Sequence, residues 1–513
     1  MPIVIRLWQD SRLSSGWRLA PVSLFAWTLL GFCDRPARAY DASVSATHDA
    51  QFYAVNSPFG SPELLRRRHT STLGLSVLDI GSSGGRGARF DFRARLRLDG
   101  DFGQAGTERD PALLRFVPGL EQAPFDLMYA YLDAAGLCSG ALGFRLGRQL
   151  VVDPIGFFAF DGARISLSLP LELELGGFAG VEPRPGLPML ATARYTGDGV
   201  ARGDRDGFDP SQAPWFLEES ALAPAYGAFF TARSLGPVSA SLHYRKVLNR
   251  SRVRTAPFTV DPSAAPASFA ETRTSSERVA SSAELRLWSA ATASGRAVYD
   301  LYRDQWTALV VGARAFPTSR LSLGAELDRT RPSFDGDSIF NWFTQGPTTR
   351  FLGRFDYTPW KRLRTSASWG VRWFETEGDP YAFDGDRRVD RNEATLVGSL
   401  AGVLALDLTE LSLSAIAEAG DRGHLSGADL RVERSLGGGR YDSLAILSVY
   451  DWTDPLRDDR DATSFSYVLG AGMLGGSELF GRSRFGLEWE HTVNRLVSQR
   501  FRVLATLELE VFR

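Results

Sequence analysis

From about His69 to the carboxyl end, the chain alternates apolar and polar residues with a period of two. In the clearest stretch Ala88, Phe90, Phe92, Ala94, Leu96 and Leu98 interleave with Arg89, Asp91, Arg93, Arg95, Arg97 and Asp99. Successive strand residues point to opposite faces, so this is a strand with one apolar and one charged face. The same pattern recurs in Leu321–Asp328, in Leu363–Trp373 and in Phe501–Val511. Most such segments run for about 10–14 residues, against about 5–6 for a soluble strand. A tilted strand needs about 9–11 residues to cross a bilayer.

Connections alternate in length. Short turns rich in Gly, Pro and Ser, such as Leu235-Gly236-Pro237 and Gly475-Gly476-Ser477, alternate with long stretches at 100–124, 181–221, 249–276, 331–348, 376–392 and 452–462. Outer-membrane barrels alternate in this way. The pattern predicts an all-β fold, a transmembrane antiparallel outer-membrane β-barrel of about 18–22 strands. Twenty-one segments can be drawn, an odd number that cannot return the chain to its starting side. Either Asp49–Val55 holds a further strand, or Ala297–Phe316 is one segment instead of two. Pro62–Arg68 reads as a short helical turn. The expected division is a signal peptide over 1–39, a short periplasmic segment over 40–68 and the barrel over 69–513.

Composition agrees once it is split by face. A mean hydropathy of −0.14 and 44% hydrophobic residues look soluble, but alternating strands average to such values. The amino terminus has Arg6, Arg12 and Arg18, an apolar run from Leu19 to Cys33, then Ala37-Arg38-Ala39. This reads as a secretory signal cut near Ala39, with the outer membrane as destination. Cys138 is then the single remaining cysteine and cannot form an internal disulfide.

Charged strand faces cannot meet hydrocarbon, where each Arg would cost about 2–4 kcal/mol near the midplane. They are therefore expected to line a wet lumen. The candidate lining residues are Arg89, Arg93, Arg95, Arg97, Arg145, Arg164, Arg245, Arg286, Arg354, Arg364 and Arg372, with Glu172, Glu174, Glu326, Glu508 and Glu510. They allow two readings: an anion-attracting track, or cross-strand ion pairs that hold the wall. Chain closure is expected to bring Glu508 and Glu510 near the first arginine-bearing strands. Tyr129, Tyr131, Trp306, Tyr357, Trp360, Trp452 and Trp489 are candidates for interfacial girdles. Ser338–Phe343 is unusually apolar for a loop. Phe340, Trp342 and Phe343 are therefore a candidate constriction folded inward or onto the rim.

Gly143-Phe144-Arg145-Leu146-Gly147-Arg148-Gln149, followed by Phe160-Asp161-Gly162-Ala163-Arg164-Ile165, resembles the alginate-export-type outer-membrane porins over about residues 143–178. The resemblance implies a barrel of about 18 strands whose arginine-lined lumen passes anionic polysaccharide. It adds Arg148 to the lumen candidates.

Other motifs do not support an enzyme. Gly470–Gly475 matches a dinucleotide fingerprint but leads into a strand, not a helix. His243 shares a face with Ser239 and Ser241, but neighbours two apart point in parallel and seldom form a nucleophile–base pair. Asp335-Gly336-Asp337 and Asp384-Gly385-Asp386 fit no complete calcium loop. No cofactor is expected. The expected partners are outer-membrane lipid and lipopolysaccharide, the barrel-insertion machinery, and small anionic or saccharide solutes; nucleic acid is not expected. The leading expectation is a passive pore. Alternatives are a surface barrel that binds a partner or polysaccharide through acidic loops, and a barrel hydrolase.

Overall fold

A computed structural model of the chain describes residues 40–56, 62–80, 88–101, 126–183, 223–249, 272–332, 347–374, 393–420, 423–454, 459–477, 481–495 and 498–512. They form one antiparallel sheet of 22 strands. In chain order these are β1 (Asp41–Asn56), β2 (Pro62–Ile80), β3 (Arg89–Asp101), β4 (Asp126–Leu137), β5 (Leu142–Asp153), β6 (Gly156–Leu169), β7 (Leu173–Glu182) and β8 (Ala223–Leu235). Next come β9 (Val238–Asn249), β10 (Arg273–Leu287), β11 (Ala291–Asp300), β12 (Gln305–Thr318), β13 (Leu321–Thr330), β14 (Thr348–Trp360) and β15 (Leu363–Phe374). The last are β16 (Glu393–Ala405), β17 (Thr409–Gly420), β18 (Gly423–Leu436), β19 (Tyr441–Asp454), β20 (Asp459–Ser477), β21 (Gly481–Asn494) and β22 (Gln499–Phe512).

Each strand pairs with its chain neighbours, and β22 pairs with β1 from Ser43↔Phe512 to Asn56↔Gln499. The sheet therefore closes on itself into a barrel. β1 begins and β22 ends at the same end of it. The connections 102–125, 183–222, 250–272, 331–347 and 375–392 all fall at the other. That is the short-turn and long-loop asymmetry of outer-membrane barrels.

Three expectations are corrected by the strand assignments. The segment 40–68 is wall: it supplies β1 and the beginning of β2. Pro62–Arg68 is extended, not helical. The parity problem is solved by the strand at the amino end, since β11 and β12 are separate. The barrel thus begins at Asp41, not His69. β1 has a weak outward face of Ala42, Ala46, Ala50 and Ala54, so its alternation is muted. The connection expected at 452–462 is also largely strand, in β19 and β20.

The two faces are distinguished by contact. Ile155 packs with Ala280 and Val298, which belong to β10 and β11, several strands away around the wall. Only the inside of a closed barrel brings such residues together. The register then carries this phase around the ring. The outward phase holds exposed Ile165, Leu167, Leu242, Leu327, Trp369, Leu396, Leu400, Leu413 and Leu447. That is an exterior suited to hydrocarbon.

Candidate functional site

Twenty-two strands enclose more space than wall side chains can fill. One sector of that space is occupied by the chain itself. The β4–β5 ladder stops at Ala130↔Arg148, and the β6–β7 ladder begins only at Asp161↔Val181. Between these points β5 and β6 stay paired to each other as far as Asp153↔Gly156. Residues Gln149–Phe160 are thus a two-stranded hairpin that has left the wall.

Glycine permits the departure. Gly147 has φ 124°, and a Cβ there would lie 2.2 Å from the Ala130 carbonyl oxygen. Gly162 faces Gly180 across the β6–β7 ladder, where a Cβ would come within 2.6 Å of the Gly180 Cα. Any larger residue would push the strands apart at the root. Fully buried Gln149 ties the root together, donating from Nε2 to the Gly162 carbonyl at 2.9 Å and to the Arg145 carbonyl at 3.3 Å.

The tip is a tight turn closed by Asp153, whose Oδ1 accepts the backbone N–H groups of Ile155 at 2.8 Å and Gly156 at 3.1 Å. It is latched to the inner wall at three kinds of contact. Ile155 is buried with Ala280 and Val298, with Ala308 packed alongside. Arg296 Nε donates to the Pro154 carbonyl at 2.7 Å. Asp153 Oδ2 lies 3.8 Å from Arg245 Nη1 and 3.9 Å from His243 Nδ1. Behind the tip, Phe158 and Phe160 pack with Ala223, Ala225 and Val247, with Val151 and Phe178 alongside. The Arg245 guanidinium lies over the Phe158 ring at 4.5 Å. The hairpin's other face carries the exposed Val152 and Phe157.

Closer to the end where β1 begins, the same sector presents a cationic and aromatic shelf. Arg145 and Arg164 are cross-strand neighbours. Arg145 lies over the Tyr131 ring at 4.5 Å and donates to Asp133 at 2.9 Å. Arg164 lies over the Phe229 ring at 4.4 Å, and Phe229 stacks on His243. Among the described residues Arg164 has no ion-pair partner, and neither does the exposed Arg93; the exposed Arg364 also lacks one, but it lies in β15 on the far side of the barrel. Arg95 reaches only the Thr72 hydroxyl, at 3.2 Å. These groups hold positive charge facing water without a carboxylate to absorb it.

The far sector differs. Arg350 bonds Glu326 and Asp328, Arg354 bonds Glu326, and Arg372 bonds Glu418, all at 3.1–3.2 Å. Arg314 pairs with Asp356. Glu490 takes both Arg500 and Arg502. Arg286 pairs with Glu284 on its own strand; back in the hairpin's sector, Arg89 of β3 lies near Asp79 and Asp91. Arg97 is buried in the inward phase of β3.

Two candidates fall outside the inward phase. Arg148 shares the phase of Leu146, and its guanidinium makes a two-pronged bond to Asp161 at 2.6 and 2.7 Å and reaches the Leu127 carbonyl. It braces the hairpin root from the other face, because a residue next to Gln149 must point opposite to it. Glu172 sits in the turn between β6 and β7, not in a strand. Glu174 is in the inward phase and holds Arg233 at 2.5 Å. Glu508 and Glu510 face Thr47 and Ser45, so β1 and β2 separate them from the arginines of β3. Tyr129 and Tyr131 pair with Arg95 and Arg93 in the inward phase, and Trp452 shares the inward phase of β19. None of the three is a girdle residue. Phe340, Trp342 and Phe343 lie outside the described residues, as do the acidic loops 203–210 and 384–390 and the segment 1–39. The hairpin was not legible as a constriction. Its signal was the unbroken apolar run Ile155–Phe160 after Asp153-Pro154, where alternation fails.

No protein-family model matches the chain, and no curated protein matches it. Solved structures resemble it at low identity. The outer membrane protein opdK from Pseudomonas aeruginosa is 11% identical with a TM-score of 0.40, covering 92% of this chain and 99% of its own. OccAB4 from Acinetobacter baumannii is 6% identical with a TM-score of 0.43, covering 93% and 100%. A BenF-like porin from Pseudomonas fluorescens Pf-5 is 10% identical with a TM-score of 0.42, covering 92% and 99%. At these scores the likeness is one of general shape, and function has to be reasoned from the barrel's own geometry.

Proposed function

We propose that the protein is an outer-membrane channel through which small anionic solutes, acidic saccharides among them, diffuse passively. The observation that carries this reading is the wide closed barrel narrowed by the β5–β6 hairpin, with arginines beside it that have no ion-pair partner among the described residues. An inert wall has no need for a hairpin turned inward and latched at its tip. A constriction does, because selectivity in a pore comes from width, lining groups and charge at the narrowest level. Arginine suits the role: it stays charged and presents a planar fork to carboxylate or phosphate. Arg164 and Arg93 are the groups placed to meet the solute. Tyr131 and Phe229 hold Arg145 and Arg164 flat against the wall. Transport then needs no cofactor and no covalent step. The local resemblance to alginate-export-type porins is compatible with an acidic saccharide, but the charge pattern alone serves any small anion.

The test is conductance in planar bilayers under a KCl gradient. The expected result is an open, ohmic current with a reversal potential on the anion side. Replacing Arg93 and Arg97 by Glu is expected to move that potential toward cations. Silence from folded, heat-modifiable protein would favour a surface barrel acting through its loops.

A further inference from the structure

The outer face of the barrel is apolar over most of its circumference; its mid-strand breaks are the Arg148–Asp161 pair, whose charges meet each other, and His48 on β1, while the outward His491 is packed against Tyr467 and Phe501. On β1 the outward phase runs Ala42, Val44, Ala46, His48, Ala50, Phe52 and Ala54. His48 is exposed and lies at the centre of its strand. Its cross-strand neighbour is Ser71, and His48 Nδ1 and Ser71 Oγ are hydrogen-bonded at 2.7 Å. The His69 ring lies 5.9 Å away on the same face. Whichever partner donates in the His48–Ser71 bond, one ring nitrogen of His48 stays directed outward. Among the described residues nothing bonds it.

In a bilayer this places an unmet polar atom at hydrocarbon depth. Lipid tails offer no donor or acceptor, and water does not reach the middle of the membrane. Polar groups at this depth are instead satisfied by another protein segment across a close interface. The surroundings allow close approach. Between the start of β1 and His48, Ala42 and Ala46 keep the surface shallow, with Ala50 beyond it before the exposed Phe52; exposed Trp369, Leu396 and Leu400 project elsewhere on the barrel.

We infer that the outer face of β1 and β2 is where a second copy of this chain docks, with His48, His69 and Ser71 of the two copies bonding across the interface. The Ser71 hydroxyl can donate to or accept from His48 Nδ1, so Nε2 can be the donor in one copy and the acceptor in the other, and the patch complements itself. Copies in one membrane are already aligned in depth and orientation. A twofold axis along the membrane normal therefore brings each patch onto its counterpart. The inference rests on the proposed placement of the barrel in a membrane.

Cross-linking in native outer membranes tests it. In a Cys138→Ser background, Ala46→Cys places one thiol at the inferred interface, and Leu400→Cys places one on the far side as a control. A short bis-maleimide is expected to give a cross-linked dimer from position 46 and none from position 400. The double substitution His48→Leu and His69→Leu, added to Ala46→Cys, is expected to abolish the dimer. The same protein should keep its heat-modifiable mobility, because leucine is better suited to lipid than histidine. Folded, membrane-embedded protein that stays monomeric at position 46 would overturn the inference. So would a dimer that survives loss of both histidines, or equal cross-linking at both positions. Absence of the folded chain from the membrane would instead sink the channel reading itself, and the docking face with it.

Discussion

The inner faces of β3–β9 and of β13–β22 are built from the same residue types, arginine and carboxylate in alternation with small polar groups. In β13–β22 the two charges meet: Arg350, Arg354, Arg372, Arg500 and Arg502 each hold a glutamate or aspartate on a nearby strand. In β3–β9 the carboxylates are drawn away. Asp153 caps the hairpin turn, Asp133 holds Arg145 and Glu174 holds Arg233. Arg93 and Arg164 are left facing the lumen, and this is the sector into which the hairpin folds. Identical chemistry therefore gives a stiffened wall on one side and a charged, narrowed passage on the other. The deciding variable is which neighbour the register supplies, not how many charges the strands carry.

The comparison breaks most visibly if the hairpin is removed. Joining Arg148 to Asp161 through an Asn-Gly turn deletes Gln149–Phe160 without touching the ladders that close the barrel. Single-channel conductance should rise several-fold and anion preference should fall, while heat-modifiable mobility persists. A smaller change at the tip should act in the same direction. Ile155→Asp removes an apolar contact worth about 1.5–3 kcal/mol and sets a charge against Ala280 and Val298. The tip should detach intermittently, giving a noisy open level with brief larger conductances in the same recording.

A finer pair separates the two sectors. Arg164→Gln should lower anion preference in reversal-potential measurements with little change in thermal stability, since no ion pair is lost. Arg354→Gln should leave selectivity nearly unchanged. Its cost should be stability alone, about 0.2–1 kcal/mol for a solvated pair, read from the unfolding midpoint in denaturant. Equal selectivity changes in both variants would erase the distinction between passage and wall.

Local features were the legible ones in the sequence. Alternation is a property of neighbouring residues, so Arg89–Arg97 and Glu326 fall in the charged phase by inspection. β1 escaped because its outward alanines and His48 are barely more apolar than its inward Ser45, Thr47 and Asp49. The hairpin escaped for a different reason. Phe158 and Phe160 look like ordinary strand residues, and the wall that receives Ile155 lies at Ala280 and Val298, far along the chain. Only register and closure bring those positions together. Arg148 was grouped with Arg145 by motif, although an odd separation in a strand sets them on opposite faces.

The channel reading stands or falls on a hairpin tip fixed against the inner wall of a pore that remains open. A cysteine pair at Ile155 and Val298, in a Cys138→Ser background, tests it with one recording. The disulfide should form in the assembled barrel, and the ohmic, anion-preferring conductance should match wild type before and after reduction. Free thiols in folded protein, or a current that appears or vanishes on reduction, would contradict it.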